Sequence, residues 1–270
     1  MIRVAVGQFA ASEDVDANVS TIATLVARAA EEGADLLALP EYSSFPASTT
    51  AEAVAAHAEP LDGPFSSAVS ELARRHGLTL VVGMAEQLPS GPKVHNTLLV
   101  IASDGELAAT YRKVHLYDAL GITESDWIEP GEPGRAATVD LGGLTVGVQT
   151  CYDLRFPEST RVLADAGADV VVVAAQWVPG PLKEDHWSTL LRARAIENTL
   201  YVVGAGQCRP TGAGCSTIVD PMGVVVAGLG DRTGIAVATI DEDRIAQVRA
   251  GLPVLAGRRY QVEPIEADRA

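Results

Sequence analysis

Three residues of this 270-residue chain could together do covalent chemistry, and each ends an apolar run. Cys151 follows the β-forming stretch Leu144-Thr145-Val146-Gly147-Val148-Gln149-Thr150, and Pro157 stands at a plausible first helical position soon after it. Glu41 comes directly after Leu37-Ala38-Leu39-Pro40, and Lys113 stands just past another run, in Tyr111-Arg112-Lys113-Val114-His115-Leu116. Taken singly, a cysteine is often a small buried apolar residue, a reading that Cys208 and Cys215 keep, and a lone charge is usually a surface charge. Three complementary groups at strand ends, where open α/β sheets keep their ligand crevices, point instead to acyl transfer. A free thiol has a pKa near 8.5, so only about 3% is thiolate at pH 7. A carboxylate in contact can take the proton as sulfur attacks a carbonyl carbon. A lysine ammonium about 4 Å from the resulting oxyanion contributes up to about 4 kcal/mol at an effective dielectric of about 20. The backbone N–H of Tyr152 is a second donor in reach. Water activated by the same carboxylate would then release the acyl group.

The elements that must position these groups are legible from periodicity. Ile2–Phe9 reads as a strand. Asn18–Glu32 carries Val19, Ile22, Leu25, Val26, Ala29 and Ala30 on one helical face and stops at Gly33, and Asp35–Pro40 is a short buried strand ending at Glu41. This is a β-α-β unit, which implies parallel pairing. Ser66–His76 is a second helix closed by Gly77, and Leu78–Gly83 the next strand. Asn96–Ile101 and Leu107–Tyr111 flank an Asp104-Gly105 hairpin signal, and the second arm delivers Lys113. Tyr117–Gly134, rich in Gly, Pro and acidic residues, reads as a surface loop able to overhang a site. Leu144–Thr150 leads to Cys151, followed by helix Pro157–Ala166, strand Asp169–Ala175, helix Asp185–Thr199, and strands Leu200–Ala205, Cys215–Val219, Val224–Ala227 and Ile235–Ile240. Asp241–Gly251 is a last short helix. Val4-Ala5-Val6-Gly7-Gln8 … Gly33-Ala34-Asp35-Leu36-Leu37 is echoed by Val146-Gly147-Val148-Gln149 … Gly167-Ala168-Asp169-Val170-Val171. The expectation is an α/β fold of two pseudo-symmetric halves in a four-layer α-β-β-α sandwich: one domain over residues 1–257 and a polar tail over 258–270.

Composition narrows the function. Hydrophobic residues make up 47% of the chain, a globular content, and the net charge of −15 disfavours phosphate backbones and anionic lipid. No nucleic-acid or membrane partner is expected. Cys151, Cys208 and Cys215 form neither an even disulfide set nor a Cys-x-x-Cys pair, which suits a reducing cytoplasm. The chain shows no secretory leader pattern. His57, His76, His95, His115 and His186 show no i,i+4 or His-x-His pairing, so no metal is expected; Gly204-Ala205-Gly206 lacks a third dinucleotide glycine, and no cofactor is expected.

The motifs together resemble the nitrilase (carbon–nitrogen hydrolase) superfamily, which carries a Glu–Lys–Cys triad in this chain order. They are Leu39-Pro40-Glu41-Tyr42, the segment around Lys113, Gly147-Val148-Gln149-Thr150-Cys151-Tyr152-Asp153-Leu154-Arg155-Phe156-Pro157-Glu158, His186-Trp187 with Leu191-Arg192-Ala193-Arg194-Ala195-Ile196-Glu197-Asn198, and the turn Asp220-Pro221-Met222-Gly223. The resemblance implies Glu41 as general base, Lys113 as oxyanion stabiliser and proton donor, and Cys151 as nucleophile. It also implies a second glutamate in the loop after the lysine. Glu124 matches best, with Glu129 and Glu132 as rivals.

Cys-Tyr-Asp-Leu-Arg-Phe-Pro-Glu is similar to the Nit branch of amidases, whose small amide substrates carry a free carboxylate and lose ammonia. Arg155 or Lys183 could meet that carboxylate, although Arg155 could equally pair with Asp153 or Glu158. Tyr152 and Trp177 are further candidates for the pocket. Arg194, Glu197 and Asn198 are expected to fix the scaffold. The alternatives are an N-carbamoyl amino acid amidohydrolase or a nitrilase with the same triad, or a non-catalytic interaction protein retaining the fold. The resemblance implies a homodimer or higher homo-oligomer. One departure bears on pocket shape: the loop between Gln207 and Ser216 is short and lacks the Gly-His-Ser common in Nit-like chains.

Overall fold

A computed structural model describes residues 1–265. Its strands are β1 (Ile2–Gln8), β2 (Leu36–Ala38), β3 (Thr79–Gln87), β4 (Val94–Ile101), β5 (Leu107–Arg112), β6 (Asp118–Ala119), β7 (Ile122–Thr123), β8 (Thr138–Leu141), β9 (Leu144–Thr150), β10 (Val170–Ala175), β11 (Tyr201–Gly206), β12 (Thr217–Val219), β13 (Val225–Gly228) and β14 (Gly234–Ile240). The helices are α1 (Val15–Glu31), α2 (Ala51–Ala56), α3 (Pro64–His76), α4 (Pro157–Asp165), α5 (Lys183–Asn198) and α6 (Glu242–Gly251).

Two six-stranded sheets form, in the orders β14-β1-β2-β3-β4-β5 and β8-β9-β10-β11-β12-β13. In each sheet three central strands run parallel and the flanking strands pair antiparallel. The internal echo is therefore a structural repeat. It extends to single hydrogen bonds: Asp35 Oδ2 accepts from Arg3 N at 2.7 Å, and Asp169 Oδ2 from Thr145 N at 3.1 Å.

The central strands are apolar on both faces because both faces are covered, as parallel sheets require. Alternation along each strand sorts the side chains into layers. Val4, Val6, Leu36, Ala38, Val146, Val148, Val170 and Val172 meet between the sheets. Ala5, Leu37 and Leu39 turn outward onto Ile22, Leu25, Val26, Val69 and Leu72 of α1 and α3. Val171, Val173 and Ala175 turn onto Leu163, Trp187 and Leu191 of α4 and α5. The result is the expected α-β-β-α sandwich.

Differences from the sequence expectations are local. Helix α1 begins at Val15 because Asp14 caps it, its side chain accepting from Ala17 N at 3.0 Å. The Tyr117–Gly134 segment is no simple surface loop: it contains the β6–β7 hairpin, and Glu124 and Ile128 within it are buried. Helix α2 and strand β8 were not anticipated. Residues 258–265 of the expected tail carry no helix or strand, and 266–270 lie outside the described residues. Among the described residues, no helix is long and apolar enough to cross a membrane.

Candidate active site

The carboxyl ends of parallel strands from both sheets converge on one pocket, and two sharp turns deliver its reactive groups. After β9 the chain enters a short 3-10 turn over Cys151–Arg155, and Cys151 itself has φ +43°. After β2, Tyr42 has φ +53° immediately beyond Glu41. Non-glycine residues in this region each cost on the order of 1–3 kcal/mol and persist only where their surroundings over-determine them. The surroundings here do so. Gln207 Nε2 donates to Glu41 O at 2.8 Å and to Tyr42 O at 3.2 Å, while Arg194 grips the cysteine turn through Leu154 O, from Nε at 3.1 Å and Nη2 at 2.7 Å. Gly83 leaves room for the other turn, since a Cβ there would stand 2.6 Å from Glu41 Cα.

Glu41, Lys113 and Glu124 are 2%, 2% and 4% exposed, and Cys151 is 9% exposed. Lys113 Nζ donates to Glu41 Oε1 at 3.2 Å and to Glu124 Oε1 and Oε2 at 3.0 and 2.8 Å. Asn96 Nδ2 donates to Glu41 Oε1 at 2.6 Å, and Gln176 N to Glu41 Oε2 at 2.5 Å. Glu124 also accepts from Tyr42 OH at 3.2 Å and from Tyr117 N at 2.6 Å. Every carboxylate oxygen is thus occupied, as burial of charge demands.

The electrostatics follow. Burial pulls the Lys113 ammonium down, but Glu124 and Glu41 outweigh it and hold the group well above the ordinary lysine range. Burial, then Glu41, pushes the Cys151 thiol well up, with Lys113 partly opposing. A thiol raised in this way rests protonated near neutral pH. That is the state in which a carboxylate can remove the proton during attack.

A cavity of about 230 Å³ opens above this cluster. Tyr117, Tyr152, Trp127 and Trp177 contribute aromatic wall, and Pro210 and Thr211 of the short Gln207–Ser216 loop reach it as well. All four groups expected to do chemistry, and the substrate-binding candidates Tyr152, Arg155, Trp177 and Lys183, line the same space. Glu129 and Glu132 do not. Trp177 belongs to core and pocket at once: it is buried, tied to Lys183 O through Nε1 at 2.8 Å and packed near Trp187, yet one side faces the cavity.

Arg155 does not pair with Asp153 or Glu158. Asp153 is fully buried and committed to Thr150, Tyr111 and His115. The Arg155 guanidinium instead lies 4.8 Å over the Trp177 ring, with Lys183 Nζ 5.0 Å from that same ring and 5.2 Å from Tyr117. Among the described residues neither cation has a carboxylate partner. Burial, then Arg155, pulls the Lys183 ammonium down. Sequence reasoning missed Asn96, Gln176 and Gln207, which hold Glu41. Their only sequence signal is polarity at the edge of apolar runs.

A thiol, a buried lysine and two carboxylates thus meet at the seam of the α-β-β-α sandwich. Residues 3–250 match the family described as Carbon-nitrogen hydrolase, and the chain belongs to that family. It is 40% identical over 257 residues to a deaminated glutathione amidase of Escherichia coli O157:H7, covering 95% of this chain and 97% of the relative. Among solved structures it resembles Saccharomyces cerevisiae Nit3, a member of branch 10 of the nitrilase superfamily, with a TM-score of 0.85, 30% identity, and 96% and 97% of the two chains covered. It also resembles a variant of the amidase from Nesterenkonia sp. AN1 that shows Michael addition of acrylamide at the active-site cysteine (TM-score 0.76, 30% identity, 94% and 98% covered). The protein is an amidase-type carbon–nitrogen hydrolase of the Nit branch.

Proposed function

We propose that the protein hydrolyses the C–N bond of a small carboxylate-bearing amide through a thioester on Cys151, releasing ammonia. Residues 1–257 form the catalytic domain in this reading. Glu41 takes the thiol proton as Sγ attacks the amide carbon. Lys113 Nζ and the backbone N–H of Tyr152 hold the oxyanion, each donor being worth about 10²–10³ in rate at such sites. Glu124 orients Lys113 and positions the leaving amine. As the tetrahedral adduct collapses, the C–N bond breaks and the nitrogen leaves as ammonia, carrying the proton from Glu41. Glu41 then removes a proton from water attacking the thioester, and the thiol returns with the acid product.

The observation that carries the substrate class is the pair Arg155 and Lys183. Two cations without a carboxylate partner among the described residues share the aromatic wall of the cavity that holds the thiol. Lys183 is buried and Arg155 half-buried; a buried cation without a counter-charge is costly, and a substrate carboxylate would complete both. Tyr152 and Trp177 would hold its carbon chain. The name of the Escherichia coli relative supports a deaminated peptide amide among the substrates.

The test measures ammonia from α-ketoglutaramate, succinamate, deaminated glutathione, N-carbamoyl amino acids and simple nitriles, with the purified protein and Cys151→Ala. Carboxylate-bearing amides should be the best substrates, and the variant should be inert. Equal activity in Cys151→Ala would refute the mechanism; a preference for uncharged amides would refute the substrate class. The family resemblance also supports a cytoplasmic homodimer, which light scattering checks as twice the chain mass of 28.1 kDa.

A further inference from the structure

Asp153 is a fully buried carboxylate two residues beyond the thiol, and its four donors come from two separate segments. On the cysteine side, Oδ2 accepts from Thr150 N at 3.1 Å, which closes the turn that throws Cys151 into the left-handed region. On the lysine side, Oδ2 accepts from Tyr111 OH at 2.8 Å, and Oδ1 accepts from His115 N at 2.9 Å and from the His115 ring at Nδ1, 2.8 Å away. Tyr111 and His115 stand two residues before and two residues after Lys113. One carboxylate therefore spans the end of β9 and the end of β5.

The His115 ring is itself held. It stacks on Phe156 with ring centroids 3.7 Å apart, and Ser159 Oγ lies 3.3 Å from Nδ1. With Nδ1 facing a carboxylate, that nitrogen carries the proton and donates it. The Asp153–His115–Ser159 set is no hydrolytic triad, because Asp153 and Ser159 both address Nδ1 and no nucleophile faces the other nitrogen through these contacts. Its geometry clamps instead.

We propose that Asp153 is a positioning residue that sets the separation of the Cys151 sulfur from the Lys113 ammonium. Among the described residues it is the one side chain that bonds both to the end of β9 and to the residues either side of Lys113. The two strands belong to different sheets, and β5 and β9 are not neighbours in either. A loose junction would let the end of β5, and Lys113 with it, shift relative to the cysteine turn. Displacements near 1 Å at such sites cost about 10²-fold in rate. The function of the clamp is to fix that separation. This role rests on Cys151 and Lys113 acting as proposed above.

Asp153→Asn keeps the shape but removes the charge and one acceptor, and Tyr111→Phe removes one donor while leaving the carboxylate in place. Three readouts separate a positioning role from a structural one: kcat and KM for ammonia release, the rate of Cys151 alkylation by iodoacetamide at fixed pH, and Tm. The expected result is a fall in kcat of tenfold or more for Asp153→Asn, a severalfold fall for Tyr111→Phe, and KM within about threefold of the parent. Alkylation should slow in both, because a displaced Lys113 no longer favours the thiolate. Tyr111→Phe should add little in the Asp153→Asn background, as expected for groups acting through one contact. Unchanged kcat and alkylation rate in a folded Asp153→Asn would overturn the proposal. So would a raised KM at constant kcat, or full additivity of the two changes. If Asp153→Asn does not fold, Tyr111→Phe decides alone: normal kcat and alkylation there overturn the proposal. Alkylation needs no substrate, so this test stands even if none of the carboxylate-bearing amides is hydrolysed.

Discussion

Replacing Lys113 by methionine isolates the electrostatic core of the site. The parent places Nζ 3.2 Å from Glu41 and 2.8 Å from Glu124, all buried. At an effective dielectric of about 20 these contacts are worth roughly 5 and 6 kcal/mol of gross attraction. Most of that offsets the desolvation of three charges, so the net cost of removing the cation is about 3–5 kcal/mol, the usual result of orphaning a buried partner. Unfolding entropy of about 2.1 cal/mol/K per residue gives about 0.57 kcal/mol/K for 270 residues. Lys113→Met should therefore lower Tm by roughly 5–9 °C near pH 8. The pH dependence gives the sharper check. Lys113 is held above its ordinary value in the parent, so its contribution is complete below an unfolded pKa of about 10.4 and is lost only as pH rises through the folded value. In the variant two buried carboxylates face each other, and both effects favour the protonated form. Their penalty is absent below the unfolded glutamate pKa of about 4.3 and grows as pH rises above it. Scanning calorimetry at pH 5 and pH 8 should find the smaller deficit at pH 5, with ammonia release down at least 10²-fold throughout. A variant as stable as the parent at pH 8, or one with a deficit that ignores pH, would refute the buried ion cluster.

Other perturbations separate the remaining roles. Glu41→Gln removes the charge that, after burial, most raises the Cys151 thiol, so iodoacetamide should modify the cysteine faster near pH 7.5 while turnover falls by orders of magnitude; slower alkylation would contradict the assignment. In the parent, alkylation should keep accelerating above pH 9, since the folded-state thiol titrates well above its ordinary value. Arg155→Met and Lys183→Met should each raise KM for carboxylate-bearing amides about tenfold or more, a loss of at least about 1.4 kcal/mol, and leave uncharged amides unaffected; a fall in kcat alone would place these residues elsewhere in the cycle. Gly83→Ala should cost about 1–3 kcal/mol of stability, the range for overpacking, together with activity, because the new methyl meets the Glu41 backbone.

Much of this architecture was legible because its signals are strong. Parallel strands covered on both faces write long apolar runs, and Gly33, Gly77 and Gly167 mark where chain direction changes, each at positive φ. Helix α2 was invisible because six residues rich in alanine carry no periodicity; only Thr50, which accepts from Ala53 N at 3.2 Å, announces it. Strand β8 is four residues of mixed polarity at a sheet edge, and the Gly142-Gly143 pair before β9 was its one hairpin signal. In the site, Glu41, Lys113 and Cys151 stood out by ending apolar runs. Glu124 did not, since a glutamate in a polar loop looks solvated until the loop folds over it, and family resemblance alone singled it out. The ties that hold the cluster were the least legible. His95, Asn96 and Thr97 precede an apolar run alike, and nothing in their types tells which amide will reach Glu41. Asp153 sat in a motif read for its cysteine, yet its partners lie 42 and 38 residues away, a separation that no local pattern encodes.

The internal repeat explains why the chemistry needs the whole chain. Arg3 and Thr145 occupy equivalent places, each donating its amide to the aspartate of its own Gly-Ala-Asp, which makes Phe9 the counterpart of Cys151. Phe9 is buried in the layer under α1 and α3, so the first half uses for packing the position at which the second half presents its thiol. Matching Asp35 to Asp169 in the same way makes Ala175, buried against α4 and α5, the counterpart of Glu41. Each half thus supplies what the other lacks: Glu41, Lys113 and Glu124 come from the first, Cys151, Arg155 and Lys183 from the second. The link between them is direct, for the amide of Gln176, just past β10, donates to Glu41 at the end of β2. Two sheets packed face to face bring their parallel strands' carboxyl ends to one seam, and there a carboxylate and a thiol from different halves can meet.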